Sequence, residues 1–368
     1  MRIAQIAPLY ESVPPKMYGG TERVVHYLTE ELVIQGHDVT LFASGDSVTS
    51  AKLISTVETG LRLKQDCTDS LAHHMLEIQE VFDRADDFDI LHFHIDYLHF
   101  PFSEKLHVPR VTTLHGRLDI PDLQPLYNKF RSQKVISISN NQKKPLPQAN
   151  WMGTVYHGLP RNLLPQGEGN GGYLAFVGRI SPEKGVDKAI EIAIKSDIPL
   201  KIAAKIDNAD KEYYELHIKH LLKHPLIEFY GEINEDEKKD FLGKARAMLF
   251  PINWEEPFGM VMIESMACGT PVIAFSCGSV PEVIDDNESG FIVHNVNEAV
   301  QAVRKIDQLK RNKVREIFEK RFTASRMAED YLQIYTSIIN DQNSARPRHL
   351  NFRSFDTEVE GTLSRKII

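Results

Sequence analysis

The chain has 368 residues, 42% hydrophobic and 26% charged, with 43 Lys and Arg against 51 Asp and Glu for a formal net charge of -8. That length suits about two domains with sizeable cores, and the acidic balance argues against an obligate nucleic-acid binder. Cys67, Cys268 and Cys277 are odd in number and lack metal-ligand spacing, no apolar run nears the ~18 residues of a membrane span, and the start lacks a long signal-peptide core; the expectation is a soluble, cytoplasmic protein without disulfides or zinc.

In chain order, RIAQIAPL (2–9) reads as a short apolar strand. Thr21 is positioned to cap a helix through ERVVHYLTEELVIQ, whose Val24, Val25, Leu28 and Leu32 follow the 3.6 period, and Gly36 ends it. Strands then recur at DVTLFAS (38–44), DILHFHI (89–95), VPRVTTLHG (108–116), KVISIS (134–139) and TVYHG (154–158), with helical stretches between several of them. Asp87-Phe88-Asp89 spells the DxD associated with divalent metals, but it precedes a strand and is read as a turn; His92 and His94 are read as structural. LPRNLLPQGEGNGG (159–172) has the composition of an interdomain linker. A second series follows: YLAFVG (173–178), LKIAAK (200–205), IEFYG (227–231), AMLFP (247–251), PVIAF (271–275) and FIV (291–293). Buried strands separated by helices predict an α/β fold of two Rossmann-like, doubly wound domains, 1–158 and 173–322, facing across a cleft. A helix at about 323–340 is expected to pack back on the first domain, and 341–368 to be a weakly ordered or partner-docking tail.

In such sheets ligands sit beyond the carboxyl ends of the strands, so the informative residues follow strands. Tyr18-Gly19-Gly20 precedes the first helix, where glycines admit a ligand and free N–H groups favour an anion; a plain turn is an equal reading, and the dinucleotide fingerprint GxGxxG is missing. In FVGRISPEKGVDKAIEIA, Ser181 suits an N-cap and Pro182 the first helical position. Lys184 then lies in the first turn with Arg179 just before it, an arrangement the helix dipole disfavours unless an anion is bound, so a phosphate-bearing ligand is preferred over solvated surface charge. In WEEPFGMVMIESMACGTPVIA, Glu256 falls at the entrance of a helix over 260–267 and Glu264 among its apolar residues, with Glu255 a solvated neighbour. A buried carboxylate needs a partner, and a sugar or ribose offers hydroxyl donors; a capping Glu256 and a solvent-facing Glu264 are the plainer alternative. His115 ends VTTLHG and faces the same cleft. Lys129, Arg131, Lys134, Lys143 and Lys144 are read either as a solvated surface or as a basic face for peripheral membrane contact.

The segments PPKMYGGTE, TLHG, FVGRISPEKG and EEPFGMVMIESMACGTPVIAFSCGSVPEVI, in this order across residues 14–293, resemble the retaining, nucleotide-sugar-dependent glycosyltransferases of family 4, which have the two-domain GT-B fold. The resemblance implies that Glu256 holds hydroxyls of the donor sugar and Glu264 those of the ribose. It puts the N–H groups of Phe258, Gly259 and Met260 against sugar and diphosphate, Arg179 and Lys184 on the diphosphate, Gly19 and Gly20 over it from the other domain, and His115 near the reacting carbon. Ile233 would contact the base. Ala204 departs from the family's usual glycine, which leaves Lys205 without an assigned role. The implied partners are a nucleotide-sugar donor, with UDP-glucose the modal case, and a hydroxyl acceptor that the sequence does not identify; no metal or cofactor is expected. Two other readings are a GT-B epimerase or phosphorylase, separable by donor hydrolysis against transfer, and a non-catalytic nucleotide-sugar-binding protein, separable by binding without turnover.

Overall fold

The computed structural model describes residues 1–16, 19–62, 64 and 67–345. Tyr18 and residues 346–368 of the expected tail lie outside the described residues. The first sheet contains β1 (Arg2–Ile6), β2 (Asp38–Phe42), β3 (Lys52–Ile54), β4 (Ile90–Phe93), β5 (Arg110–Thr113), β6 (Lys134–Ser137) and β7 (Asn150–Thr154), with α1 (Gly20–Ile34), α2 (Ser70–Asp83), α3 (Phe100–Ser103) and α4 (Leu123–Lys129) in its connections. The second contains β8 (Leu174–Arg179), β9 (Leu200–Lys205), β10 (Ile227–Gly231), β11 (Ala247–Phe250), β12 (Val272–Phe275) and β13 (Gly290–Val293). Its connections hold α5 (Val186–Ser196), α6 (Lys211–Tyr213), α7 (Glu235–Gly243), α8 (Met260–Ala267) and α9 (Val280–Val283); α10 (Val296–Lys305), α11 (Arg311–Arg321) and α12 (Ala324–Ala345) follow.

Every strand pairing is parallel, in the orders β3-β2-β1-β4-β5-β6-β7 and β10-β9-β8-β11-β12-β13. Every residue of β4, β11 and β12 is buried, as expected for strands covered on both faces. Strand order reverses between β1 and β4 and again between β8 and β11, which opens a crevice at the carboxyl ends of each pair. The segments leaving β1, β4, β8 and β11 are those that carry Gly19, His94, Arg179 and Glu256.

Several local expectations shift. Gly19, not Thr21, is the N-cap of α1, and no side chain caps that terminus. The short strand β3 was not anticipated; it is an edge strand with no fully buried residue, so its apolar signal is weak. The last strand of the first sheet is 150–154 rather than 154–158, because Leu159 leaves the sheet to exchange backbone bonds with the returning chain, donating to Phe322 and accepting from Ala324. Residues 167–171 are not loose: the N–H groups of Gly167, Gly169 and Gly171 donate to the carbonyls of Cys268, Gly243 and Lys244, and Arg311 donates across the same junction to Gly167, Gly243, Ala245 and Cys268.

After the second domain the chain crosses back along α12, which packs against α1. Tyr331 and Tyr335 are fully buried there, and one apolar cluster runs without a break from Ile3 and Val24 through Met327 and Tyr331 to Met262 and Val272. Residues 341–345, expected to be tail, complete α12.

Candidate functional site

Between the two sets of strand ends lies a cleft of about 720 Å³. Gly19, Gly20, His115, Arg179, Lys184, Ile233, Glu256, Phe258, Gly259, Met260 and Glu264 all line it. The first domain contributes the glycines and His115, and the second contributes the rest.

Arg179 ends β8, and the turn after it departs from the expected single helix. Ser181 precedes a 3-10 turn, Pro182–Lys184, without a side-chain cap bond, and α5 begins only after Gly185, whose φ of 67 reverses the chain. A Cβ on Gly185 would lie 2.2 Å from the Pro251 carbonyl oxygen, so β8's turn and the loop beyond β11 touch through this glycine. That contact puts Lys184 beside Glu256. The cations are already compensated: Arg179 pairs with Glu183 at 2.5 Å and Asp210 at 3.2 Å, and Lys184 pairs with Glu256. Glu256 also accepts from the Trp254 indole N–H at 2.8 Å, and the Lys184 ammonium sits 5.2 Å from that ring's centroid. Glu256 is thus held by side chains rather than by backbone N–H groups of the helix entrance.

Gly259, φ 78, turns the chain into α8, and Phe258 beneath it is buried. Glu264 lies on α8 at 3% exposure; its Oε1 accepts from Lys238 at 2.8 Å, and its Oε2 is buried with no hydrogen-bond partner. A buried carboxylate oxygen left unmet in a ligand-sized cleft suits a hydroxyl donor from a ligand. Lys238 comes from α7, whose start is fixed by a capping box: the Asn234 side chain accepts from the Glu237 N–H, and the Glu237 carboxylate accepts from the Asn234 N–H. Ile233 enters the cleft one residue before that cap. Glu235, the first residue of α7, reaches the other domain, accepting from Arg23 at 2.7 Å and from the Tyr27 hydroxyl at 2.8 Å.

His115 is half-buried beyond β5. Its Nε2 lies 2.9 Å from Nδ1 of His94, and the other nitrogen of His94 lies 2.8 Å from the Gln5 amide oxygen. Its ring stacks on His157 at 5.3 Å between centroids, and His157 meets Phe258 edge-on at 4.9 Å. Burial pushes His115 down to about 3 and holds His92, His94 and His157 well below the ordinary imidazole range, so all four are neutral near pH 7. His94, read from the sequence as structural, therefore touches the candidate site directly.

Glu255 is exposed, as expected of a solvated neighbour, and it also accepts from the Asn141 side-chain amide at 2.6 Å across the domain boundary. Nearby, Glu282 accepts from the backbone N–H groups of Asn140 and Asn141 at 2.7 and 2.6 Å and from the Tyr156 hydroxyl at 3.0 Å. The five basic residues of the first domain are spread along the chain from the end of α4 to beyond β6. Lys134 starts β6 and Lys143 and Lys144 lie beyond its other end, with Lys143 turned to Thr154 and Lys144 to Asn141. Among the described residues no helix is long and apolar enough to cross a membrane.

Lys238, Trp254, Arg23, Glu235 and His157 were missed by sequence reasoning. NEDEK at 234–238 carried a usable signal, an Asn followed three residues later by Glu, which places Lys238 four residues past the cap. Trp254 acts locally, on Glu256 two residues on; Arg23, Glu235 and His157 are set by tertiary contacts between distant segments.

Two family models match in succession: Glycosyltransferase Family 4 over residues 18–150 and Glycosyl transferases group 1 over residues 166–326. An uncharacterized glycosyltransferase of Methanocaldococcus jannaschii is 30% identical over 208 residues, covering 53% of this chain and 57% of that protein. Among solved structures, the sucrose-phosphate synthase from Thermosynechococcus elongatus superposes with a TM-score of 0.74 at 17% identity, over 93% of this chain and 100% of that one. Anabaena Alr3699/HepE in complex with UDP and glucose gives 0.70 at 17% identity, over 92% and 100%.

Proposed function

This chain belongs to the group 1, family 4 glycosyltransferases with the GT-B fold, and on that premise we propose that it moves a hexosyl group, glucose from UDP-glucose, to a hydroxyl acceptor with retention of configuration and without a metal. The observation that carries the donor reading is Glu264, whose buried Oε2 lacks a partner beside Lys238 while Ile233 stands at the start of the same neighbouring helix. A ribose placed there meets the carboxylate with its hydroxyls and brings its base to Ile233. The structural likeness to Anabaena Alr3699/HepE, solved with UDP and glucose, supports the choice of donor.

From this placement the diphosphate reaches Arg179, Lys184 and the N–H groups of Phe258, Gly259 and Met260, with Gly19 and Gly20 opposite. In the reaction the bond between the anomeric carbon and the phosphate oxygen breaks, its electron pair staying on the diphosphate. A bond forms from the acceptor oxygen to the anomeric carbon on the same face, and the acceptor's proton goes to a phosphate oxygen. Negative charge develops where two cations and a helix N-terminus converge, and this electrostatic stabilisation is the chemistry assigned to the chain. Glu256, freed from Lys184, takes hydroxyls of the sugar, and His115 contacts the sugar near the reacting carbon. The acceptor enters from the first-domain side of the cleft.

A thermal-shift panel of UDP, GDP, ADP and their sugars tests this reading. UDP-glucose at 100 times its Kd should add about 2.7 kcal/mol of stability, with a smaller effect from GDP and ADP sugars. UDP release from UDP-glucose should persist in excess EDTA. A panel without any nucleotide-induced shift would overturn the proposal.

A further inference from the structure

We infer that Gln5, His94 and Tyr335 form a chain of positioning residues that fixes the orientation and tautomer of His115, making helix α12 part of the working machinery of the cleft. This rests on the donor-contacting role proposed for His115.

The bonds run without a gap. The Gln5 amide nitrogen donates to the Tyr335 hydroxyl at 3.2 Å, and that hydroxyl lies 2.6 Å from Nδ1 of His92. Nε2 of His92 lies 2.7 Å from the Thr113 hydroxyl, itself 3.0 Å from the hydroxyl of Tyr331. The other end of the Gln5 amide leads to the cleft. An amide oxygen only accepts, so Nε2 of His94 must carry the hydrogen that bridges the 2.8 Å between them. A neutral His94 then has a bare Nδ1, an acceptor, and the partner 2.9 Å away, Nε2 of His115, must be the donor. The remaining nitrogen of His115, Nδ1, is buried and unpartnered, and in this tautomer it presents a lone pair.

Gln5 decides the direction of the whole chain, since turning its amide over would reverse every donor and acceptor between Tyr335 and His115. The Tyr335 hydroxyl, which can donate or accept, holds the amide nitrogen in place, and the reversed state is disfavoured because it would leave a buried N–H on Nδ1 of His115 without an acceptor. A residue of α12, 220 positions after His115 in the sequence, thus anchors the amide that sets which face of the imidazole chemistry the cleft receives. Gln5, His92 and Tyr335 are fully buried, so water does not compete for these bonds.

The test reads the tautomer directly by nitrogen NMR on histidine-labelled protein, and the consequence by UDP release from UDP-glucose. In the parent protein His115 should show a single state protonated at Nε2. Tyr335→Phe and Gln5→Leu should each turn that into a mixture, lower kcat about tenfold and change the donor KM less than twofold. A parent His115 protonated at Nδ1 or already mixed overturns the inference, as does a single Nε2–H state with parental kcat in both variants. If the parent releases no UDP, the donor reading fails; the tautomer in parent and variants still decides the positioning chain.

Discussion

Glu264 and Lys238 form the most enclosed ion pair of the cleft, with side-chain exposures of 4% and 13%. Removing one member of such a pair leaves a buried charge uncompensated, which typically costs 3–5 kcal/mol. Lys238→Met should therefore lower the unfolding free energy by about 3 kcal/mol in urea titrations. Glu264→Gln should cost less, because the Lys238 charge it strands is the more exposed of the two, yet weaken UDP binding by about ten- to a hundredfold, the range for a hydrogen bond to a charged group. Calorimetry with UDP and its 2′,3′-dideoxy analogue checks this: the parent should discriminate strongly and Glu264→Gln weakly. Equal discrimination by both proteins would remove Glu264 from the ribose. The sequence showed this carboxylate as an acid inside an apolar stretch, which required some partner, but Lys238 lies 26 residues earlier and becomes adjacent only when α7 and α8 pack. The same holds for Arg179 and Lys184. Their positive charge was legible; their present carboxylate partners, apart from Glu183 in the same turn, come from other segments.

At the scale of elements, the strand-to-helix turns matter more than the helices they begin. The turn after β8 was read as one helix because Ser181-Pro182 is a sound start signal, yet Gly185 interrupts it with a left-handed residue and gives Lys184 a turn of its own. Gly185→Ala forces an unfavourable φ and drives a methyl into the Pro251 carbonyl. It should cost at least about 1–3 kcal/mol and displace Lys184 from Glu256, so the variant should melt lower and lose most of its UDP-induced shift. An alanine variant with the parental UDP response would show that this turn does not position the cation. Strands such as β9 and β10, and helix α8, match their expected limits because burial and period 3.6 or 2 mark them locally. The displaced β7 and the overlooked β3 fail for the opposite reason: one yields to backbone pairing with residues 322–324, and the other is a three-residue edge with little to bury.

For the whole molecule, two interdomain contacts bracket the cleft. Glu235 receives Arg23 and Tyr27 on one side, while Glu282 and Glu255 receive the 140–141 turn on the other. Proton linkage also acts at this scale. His92, His94, His99, His115 and His157 are held neutral by burial below 6.5, so the unfolded chain binds more protons and stability is lost as pH falls through 6.5. Glu22, raised by burial to about 7, and Glu77, raised well above 4.5, act in the opposite sense, losing stability as pH rises above 4.5. The imidazoles outnumber the carboxyls, and acidification from pH 7 to 5.5 should cost about 2–3 kcal/mol net. A melting temperature that is flat or rises over that interval would contradict the assignment of these rings as neutral.

The return of α12 to the first domain also sets an order of events during synthesis. The first sheet is complete once Thr154 has been made, but Gln5 and His92 wait for Tyr335, about 180 residues later. At 5–20 residues per second that is roughly 10–35 s, during which a sheet with its strands already in place carries polar groups in an apolar setting without their final partners. The chain is thus sewn shut by its late-made helix, and the first domain produced alone should be a poorer folder than its size suggests.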